Sequence, residues 1–178
     1  MLERLWNGWR AEYVQSVGSA DSAEPLDGEA GTHRRVSVFA KILESGVPDV
    51  ETHIVHRGDT VFVICNRFPY AVGPLLVLPY RQIADLEELT LDEAVELWAT
   101  TTHAVRVLKL VYSPGGLNVG INLGEPAGGS VSGHVHVHVV PRWSGDSNFM
   151  TATAETRTLP EALAVTAERI RVAWNDVP

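Results

Sequence analysis

The sequence predicts an α+β domain built on a mainly antiparallel sheet of five strands with one long helix. Three observations carry this. β-prone runs fall into two groups, between Thr52 and Leu78 and between Leu117 and Val140. A single long amphipathic stretch opening at Thr90 separates the groups, and shorter helical stretches stand at both ends.

Leu2, Leu5, Trp6, Trp9 and Tyr13 recur at helical spacing and predict an amphipathic helix that docks on something. Gln15 to Arg35 is rich in Ser, Ala, Gly, Asp and Glu with little periodicity, which predicts a flexible connection. Val36, Phe39, Ala40 and Leu43 then outline a short helix, stopped by Gly46 and Pro48. Thr52 to His56 and Thr60 to Asn66 are expected to form a hairpin across Arg57-Gly58-Asp59. Leu75 to Leu78 is a third strand bracketed by Pro74 and Pro79, where a missing N–H does least harm to a ladder.

Thr90-Leu-Asp-Glu93 is a capping box, after which Leu91, Val95, Trp98, Thr102, Val105, Leu108 and Tyr112 follow one expected helical face until Pro114-Gly-Gly breaks it. Leu117 to Asn122 and His134 to Val140 make the last two strands, joined by a glycine-rich loop. A closing helix starts near Pro160, with Leu163, Ala167, Ile170 and Trp174 on one side. The expected organisation is therefore an N-terminal helix with its connection (1–35), one domain (36–150) and a C-terminal helical extension (151–178).

Composition narrows the function classes. The chain has 178 residues with 45% hydrophobic content, enough for one ordinary core. No apolar run approaches the roughly 20 residues that span a bilayer, and the N-terminus lacks the pattern of a secretory signal, so a cytoplasmic protein without membrane contact is expected. The single cysteine, Cys65, has no internal partner. A net charge of −8 offers no general field for a nucleic-acid backbone.

Chemistry concentrates in His134-Val-His136-Val-His138-Val-Val. On a strand, alternate side chains share a face, so the three histidines are expected to line one surface while Val135, Val137 and Val139 enter the core. Imidazole titrates near neutrality and serves as nucleophile, acid or base. A zinc site is an alternative, although two-residue steps of roughly 6.6–6.8 Å separate His134 and His138 too widely for a simple three-ligand cage. His33, His53, His56 and His103 show no recognisable ligand spacing. A polar face without chemistry is the other alternative.

The pattern His-φ-His-φ-His-φ-φ, with φ apolar, resembles the signature of the histidine-triad superfamily at every position. The resemblance extends to Asn66-Arg-Phe-Pro-Tyr-Ala-Val-Gly73, to Asp85-Leu-Glu-Glu-Leu-Thr90 before the long helix, and to Pro141-Arg142-Trp143 with Gly145-Asp146. That last tail is similar to the branch acting on dinucleoside polyphosphates, particularly the bacterial diadenosine tetraphosphate phosphorylases. The resemblance implies a HIT-like fold and an enzyme in which His136 attacks the α-phosphorus to form a covalent nucleotidyl intermediate, with phosphate or water as acceptor. His138, and the main chain near His134, would orient the ring and the phosphate oxygens. Asn122, Gly128, Gly129 and Ser130 would hold phosphate oxygens, Asn66 would contact the ribose, and Arg142 would supply positive charge. It also implies a nucleotide or nucleotidyl ligand and a homodimer or higher assembly.

The chain departs from its relatives in places. Some bacterial relatives hold structural zinc through a Cys-x-x-Cys at the position of Ser37-Val-Phe-Ala40, a histidine at Pro74 and one triad histidine. The two cysteines and the histidine at Pro74 are replaced here, so no structural zinc is expected, and Mg²⁺ would enter only with a polyphosphate substrate. The change at Pro74 keeps a second expectation open, that the scaffold serves a different reaction or binds a ligand without nucleotide turnover.

Overall fold

The computed structural model describes residues 36–67, 73–128, 131–146 and 161–177. The expected N-terminal helix and its connection lie outside these residues, as do Gly129 and Ser130.

Five strands form one antiparallel sheet in the order β1-β2-β3-β5-β4: β1 (Ile54–Arg57), β2 (Val61–Cys65), β3 (Leu75–Pro79), β4 (Gly116–Ile121) and β5 (Val137–Arg142). Every residue of β2 and β3 is buried, because both faces of the sheet are covered. Val61, Val63, Cys65, Leu75, Val77, Val137 and Val139 pack against the long helix α3 (Leu91–Tyr112) and the closing helix α4 (Leu163–Trp174). Phe62, Ile64, Leu76 and Leu78 form a second cluster with Phe39 of the short helix α1 (Val38–Glu44). A strand covered on both faces reads as a continuous apolar run rather than an alternating one, as Val61–Cys65 does.

The expected strands are all present, with ends displaced by a residue or two at β1 to β4. Two differences matter more. Pro48 caps a short helix α2 (Asp49–Thr52) where a strand start was expected, and His53 leaves it at φ 62°. Arg171 holds this turn by donating to the carbonyls of Asp49 and Ile54. The last strand begins at Val137 rather than His134, because the chain at Val135 donates its N–H to Ile83, outside any strand, at 2.7 Å.

Helix α3 starts at its capping box as expected, with Thr90 accepting from the Glu93 N–H and Glu93 accepting from the Thr90 N–H. Arg81 grips the same carboxylate from outside and holds it well below the usual range, to about 2. The expected buried face needs correction. Leu91 is 79% exposed, Val95 62% and Trp98 49%, while Leu97, Thr101, Ala104 and Leu108 are buried. Leu108 apart, the stripe read from the sequence repeats every seven residues. A straight helix drifts about 20° per heptad against such a repeat, so the stripe faces solvent early and reaches the core only in part, at Val105 and Tyr112, while Leu108 lies seven residues after Thr101 on the face that packs. The face that packs carries small residues that let the helix approach the sheet, and the buried Thr101 hydroxyl is satisfied by the Leu97 carbonyl.

At the β1–β2 turn, the carboxylate of Glu96 on α3 accepts from the N–H groups of Asp59 and Thr60 and from the Thr60 hydroxyl. It passes so close to Gly58 that a Cβ there would lie 2.1 Å from Oε1, which ties the glycine to this contact.

Leu97→Ala is expected to lower unfolding stability by about 2–5 kcal/mol, whereas Leu91→Ala should change it by less than about 0.5 kcal/mol. Denaturant melts of the two variants measure the difference. Equal losses would restore the face read from the sequence.

Candidate active site

β5 and the segment before it carry the three histidines. In the ladder His138 stands between Leu76 of β3 and Gly120 of β4. Alternation puts Asn118, Gly120 and Asn122 on the same face of the sheet as His138. Gly120 has no side chain, and a Cβ there would meet nothing within 4 Å, so space opens beside the His138 ring.

The histidines are not the open surface expected from alternation. His134 is fully buried, His136 is 6% exposed, and His138 is half-buried. Helix α1 covers this side of the sheet, and the Phe39 ring lies 5.6 Å from the His134 ring and 5.4 Å from the His136 ring. The valines behave as expected: Val135, Val137 and Val139 are all buried.

Burial forces each ring nitrogen to be accounted for. His134 Nε2 lies 2.8 Å from the Pro79 carbonyl, and its Nδ1 lies 2.8 Å from Ser37 Oγ. His136 Nδ1 lies 2.8 Å from the main-chain carbonyl of His134. A carbonyl only accepts, so Nδ1 of His136 carries the proton and Nε2 keeps its lone pair. No bond engages that Nε2 among the described residues, and it is not one of the buried polar atoms lacking a partner. His138 Nε2 is such an atom. The His136 and His138 rings are 4.8 Å apart.

These surroundings favour neutral rings. Burial lowers the pKa of all three histidines; for His136 the bond to the His134 carbonyl partly opposes it. His138 is pushed down to about 4 by burial and by the neighbouring His136.

Both His136 and His138 line a cavity of about 980 Å³, a size that suits a nucleotide-sized ligand. Phe39, Ile42, Ile64 and Leu76 form an apolar wall, and Asn66, Asn118, Asn122 and Gly128 add polar groups. Gly128 has φ 91°, a backbone conformation that favours glycine. Cys65 also borders the cavity, but burial pushes its thiol up to about 12, so it stays protonated.

The site residues read from the sequence are therefore only partly gathered. Asn66, Asn122, Gly128, His136 and His138 meet at one cavity, while His134 lies behind it as support. Gly129 and Ser130 lie outside the described residues. Arg142 shares the face of His138 but stands four residues further along the strand, roughly 13 Å away. Its guanidinium is engaged by both oxygens of Asp146 and by Asn118 Oδ1. Ser37 and Phe39 belong to the site although no catalytic motif includes them. Their only trace in the sequence is that Ser37 stands where some relatives carry a zinc ligand.

The positions that hold zinc in some relatives carry other residues here. Ala40 and Pro74 offer no ligand atom in their side chains, and both ring nitrogens of His134 are already engaged. Among the described residues no group of three or more His, Cys, Asp or Glu side chains is placed to hold a metal ion. No helix of those residues is long and apolar enough to cross a membrane.

Comparison with known proteins agrees with this geometry. A model of the HIT domain matches residues 47–145. The AP-4-A phosphorylase of Mycobacterium tuberculosis is 39% identical over 184 aligned positions, spanning 99% of this chain and 87% of that protein. The asymmetrical bis(5'-nucleosyl)-tetraphosphatase of Schizosaccharomyces pombe is 33% identical over 97 positions, 54% of this chain and 53% of that one. A Zn-bound histidine triad family protein from Mycobacterium smegmatis shares the fold, with a TM-score of 0.64 at 22% identity over 80% of this chain and 96% of that one. With its three alternating histidines, its sheet order and a family match over more than half its length, the chain belongs to the HIT family.

Proposed function

We propose that this protein is a nucleotidyl transferase that cleaves the phosphoanhydride of a dinucleoside polyphosphate such as diadenosine tetraphosphate. The observation that carries the reading is the bond from His136 Nδ1–H to the His134 carbonyl, which leaves Nε2 as an unprotonated nucleophile at the cavity. Nε2 attacks the α-phosphorus, a P–N bond forms, and the P–O bond to the leaving nucleoside polyphosphate breaks with its electron pair. An oxygen of inorganic phosphate or water then attacks the same phosphorus and returns the imidazole.

The supporting roles follow from placement. His138, neutral and with a buried Nε2 lacking a partner, supplies a hydrogen bond to a phosphate oxygen. Asn122 and Gly128 border the same space, and Asn66 stands beside the apolar wall where a ribose would rest. No resident metal enters this scheme, and Mg²⁺ would accompany the polyphosphate as a charge neutraliser. The similarity to a phosphorylase over nearly the whole chain favours phosphate as the acceptor. Assembly into a homodimer or larger oligomer belongs to the proposal too. It is supported by β4, a sheet edge whose outer side has no strand partner among the described residues and whose Val119 is 44% exposed.

Incubation of the purified protein with diadenosine tetraphosphate, with and without phosphate, tests the reading. ADP plus ATP formed only with phosphate is the expected result, whereas AMP plus ATP would identify water as the acceptor. His136→Ala should abolish turnover while the protein stays folded by circular dichroism. A folded wild-type protein that turns over no nucleotide would overturn the proposal in favour of a scaffold that binds without catalysis.

The pH profile supplies a second check. The nucleophile needs the neutral ring, and burial lowers the pKa of His136 below its ordinary value of 6.5. The plateau of kcat/KM should therefore persist as pH falls through 6.5 and decline only below it. A decline centred at or above that value would contradict the assignment of His136.

A further inference from the structure

Ser37 touches neither the cavity nor the reacting nitrogen, yet its hydroxyl sits at the head of the chain of bonds that ends there. We propose that Ser37 is a positioning residue for nucleotidyl transfer, its O–H donating to His134 Nδ1 so that the His134 carbonyl stays aimed at His136. The inference rests on the reading of the site given above.

The donor directions can be assigned in only one way for neutral rings. Pro79 offers a carbonyl, so His134 Nε2 carries the proton and Nδ1 is bare. Ser37 Oγ already accepts the N–H of Ala40 at 3.0 Å as the cap of α1, so its own proton is available to Nδ1. The Ser37 N–H is spent on Gln82 Oε1 at 2.8 Å, and the next residue, Ile83, accepts the Val135 N–H at 2.7 Å. One short segment, Pro79 to Ile83, thus grips Ser37, the His134 ring and the peptide that follows it. That peptide supplies the carbonyl receiving His136 Nδ1–H.

Loss of the Ser37 proton leaves a buried bare nitrogen, and burial disfavours the charged ring that might otherwise compensate. The ring can then be satisfied only by exchanging its tautomer or rotating. Either change breaks the Pro79 contact and releases the peptide that holds the nucleophile's tautomer. A group that fixes a catalytic imidazole in this way acts on turnover rather than on substrate affinity.

Four variants separate positioning from helix capping. Ser37→Asn and Ser37→Thr keep an acceptor for the Ala40 N–H and a donor for His134. Ser37→Gly keeps a residue that helices tolerate as a cap but has no proton to give, and Ser37→Ala has neither. With diadenosine tetraphosphate and phosphate as substrates, kcat should fall on the order of tenfold to a hundredfold in the Gly and Ala variants. KM should stay within about threefold, and at least one of Thr and Asn should hold kcat within about threefold of the wild type. A Gly variant that melts like the wild type and retains its kcat would overturn the proposal, as would losses that track melting temperature across all four.

Ring ¹⁵N spectra give a readout independent of activity. In the wild type, His134 should show a protonated Nε2 with bare Nδ1 and His136 the reverse, a pattern altered in the Gly variant. If the wild type turns over no nucleotide, the reading of the function fails by itself. Unchanged ring spectra in a folded Gly variant would then reject the role of Ser37.

Discussion

The site depends on one local bond, from His136 Nδ1–H to the carbonyl two residues earlier in its own chain. An imidazole has two nitrogens and, when neutral, one proton, so holding the proton at Nδ1 places the lone pair at Nε2. That bond works only while the His134 carbonyl cannot turn away. The fully buried His134 ring, clamped between Pro79 and Ser37, and the Val135 N–H bonded to Ile83 hold the peptide on both sides. The first histidine of the motif thus acts as a girder for the second.

Burial serves the chemistry as well as the fold. Rings packed beneath Phe39 and backed by the sheet lose hydration, which disfavours the imidazolium and keeps the nucleophile unprotonated at neutral pH. An open polar face would have left the histidines near their ordinary pKa. The covering helix α1 therefore belongs to the site, and its cap residue ties it to the segment that leads into β5.

Much of this was legible in the sequence. The capping box at Thr90 and Glu93, the glycine-containing turn at Gly58 and the alternation of His134 to Val140 are local patterns whose physics lies within a few residues, and the elements they mark are present. The long helix also shows where local reading stops. Its seven-residue apolar stripe is real, but which face packs depends on the sheet beneath, and that sheet selected Leu97, Thr101 and Ala104 over Leu91, Val95 and Trp98.

The same division holds at the site. Sequence alone determined the identity and order of the histidines and their phase along an extended chain, because side-chain alternation is a property of the backbone itself. Tertiary structure decided that the rings are covered, that Arg142 is tied to Asp146 and Asn118 away from the nucleophile, and that Ser37 meets His134 across 97 positions of sequence. A hydrogen bond between residues so distant leaves no period or spacing in the chain. It exists only because α1 folds over the sheet at the point where His134 is buried, and a buried nitrogen must find its partner there.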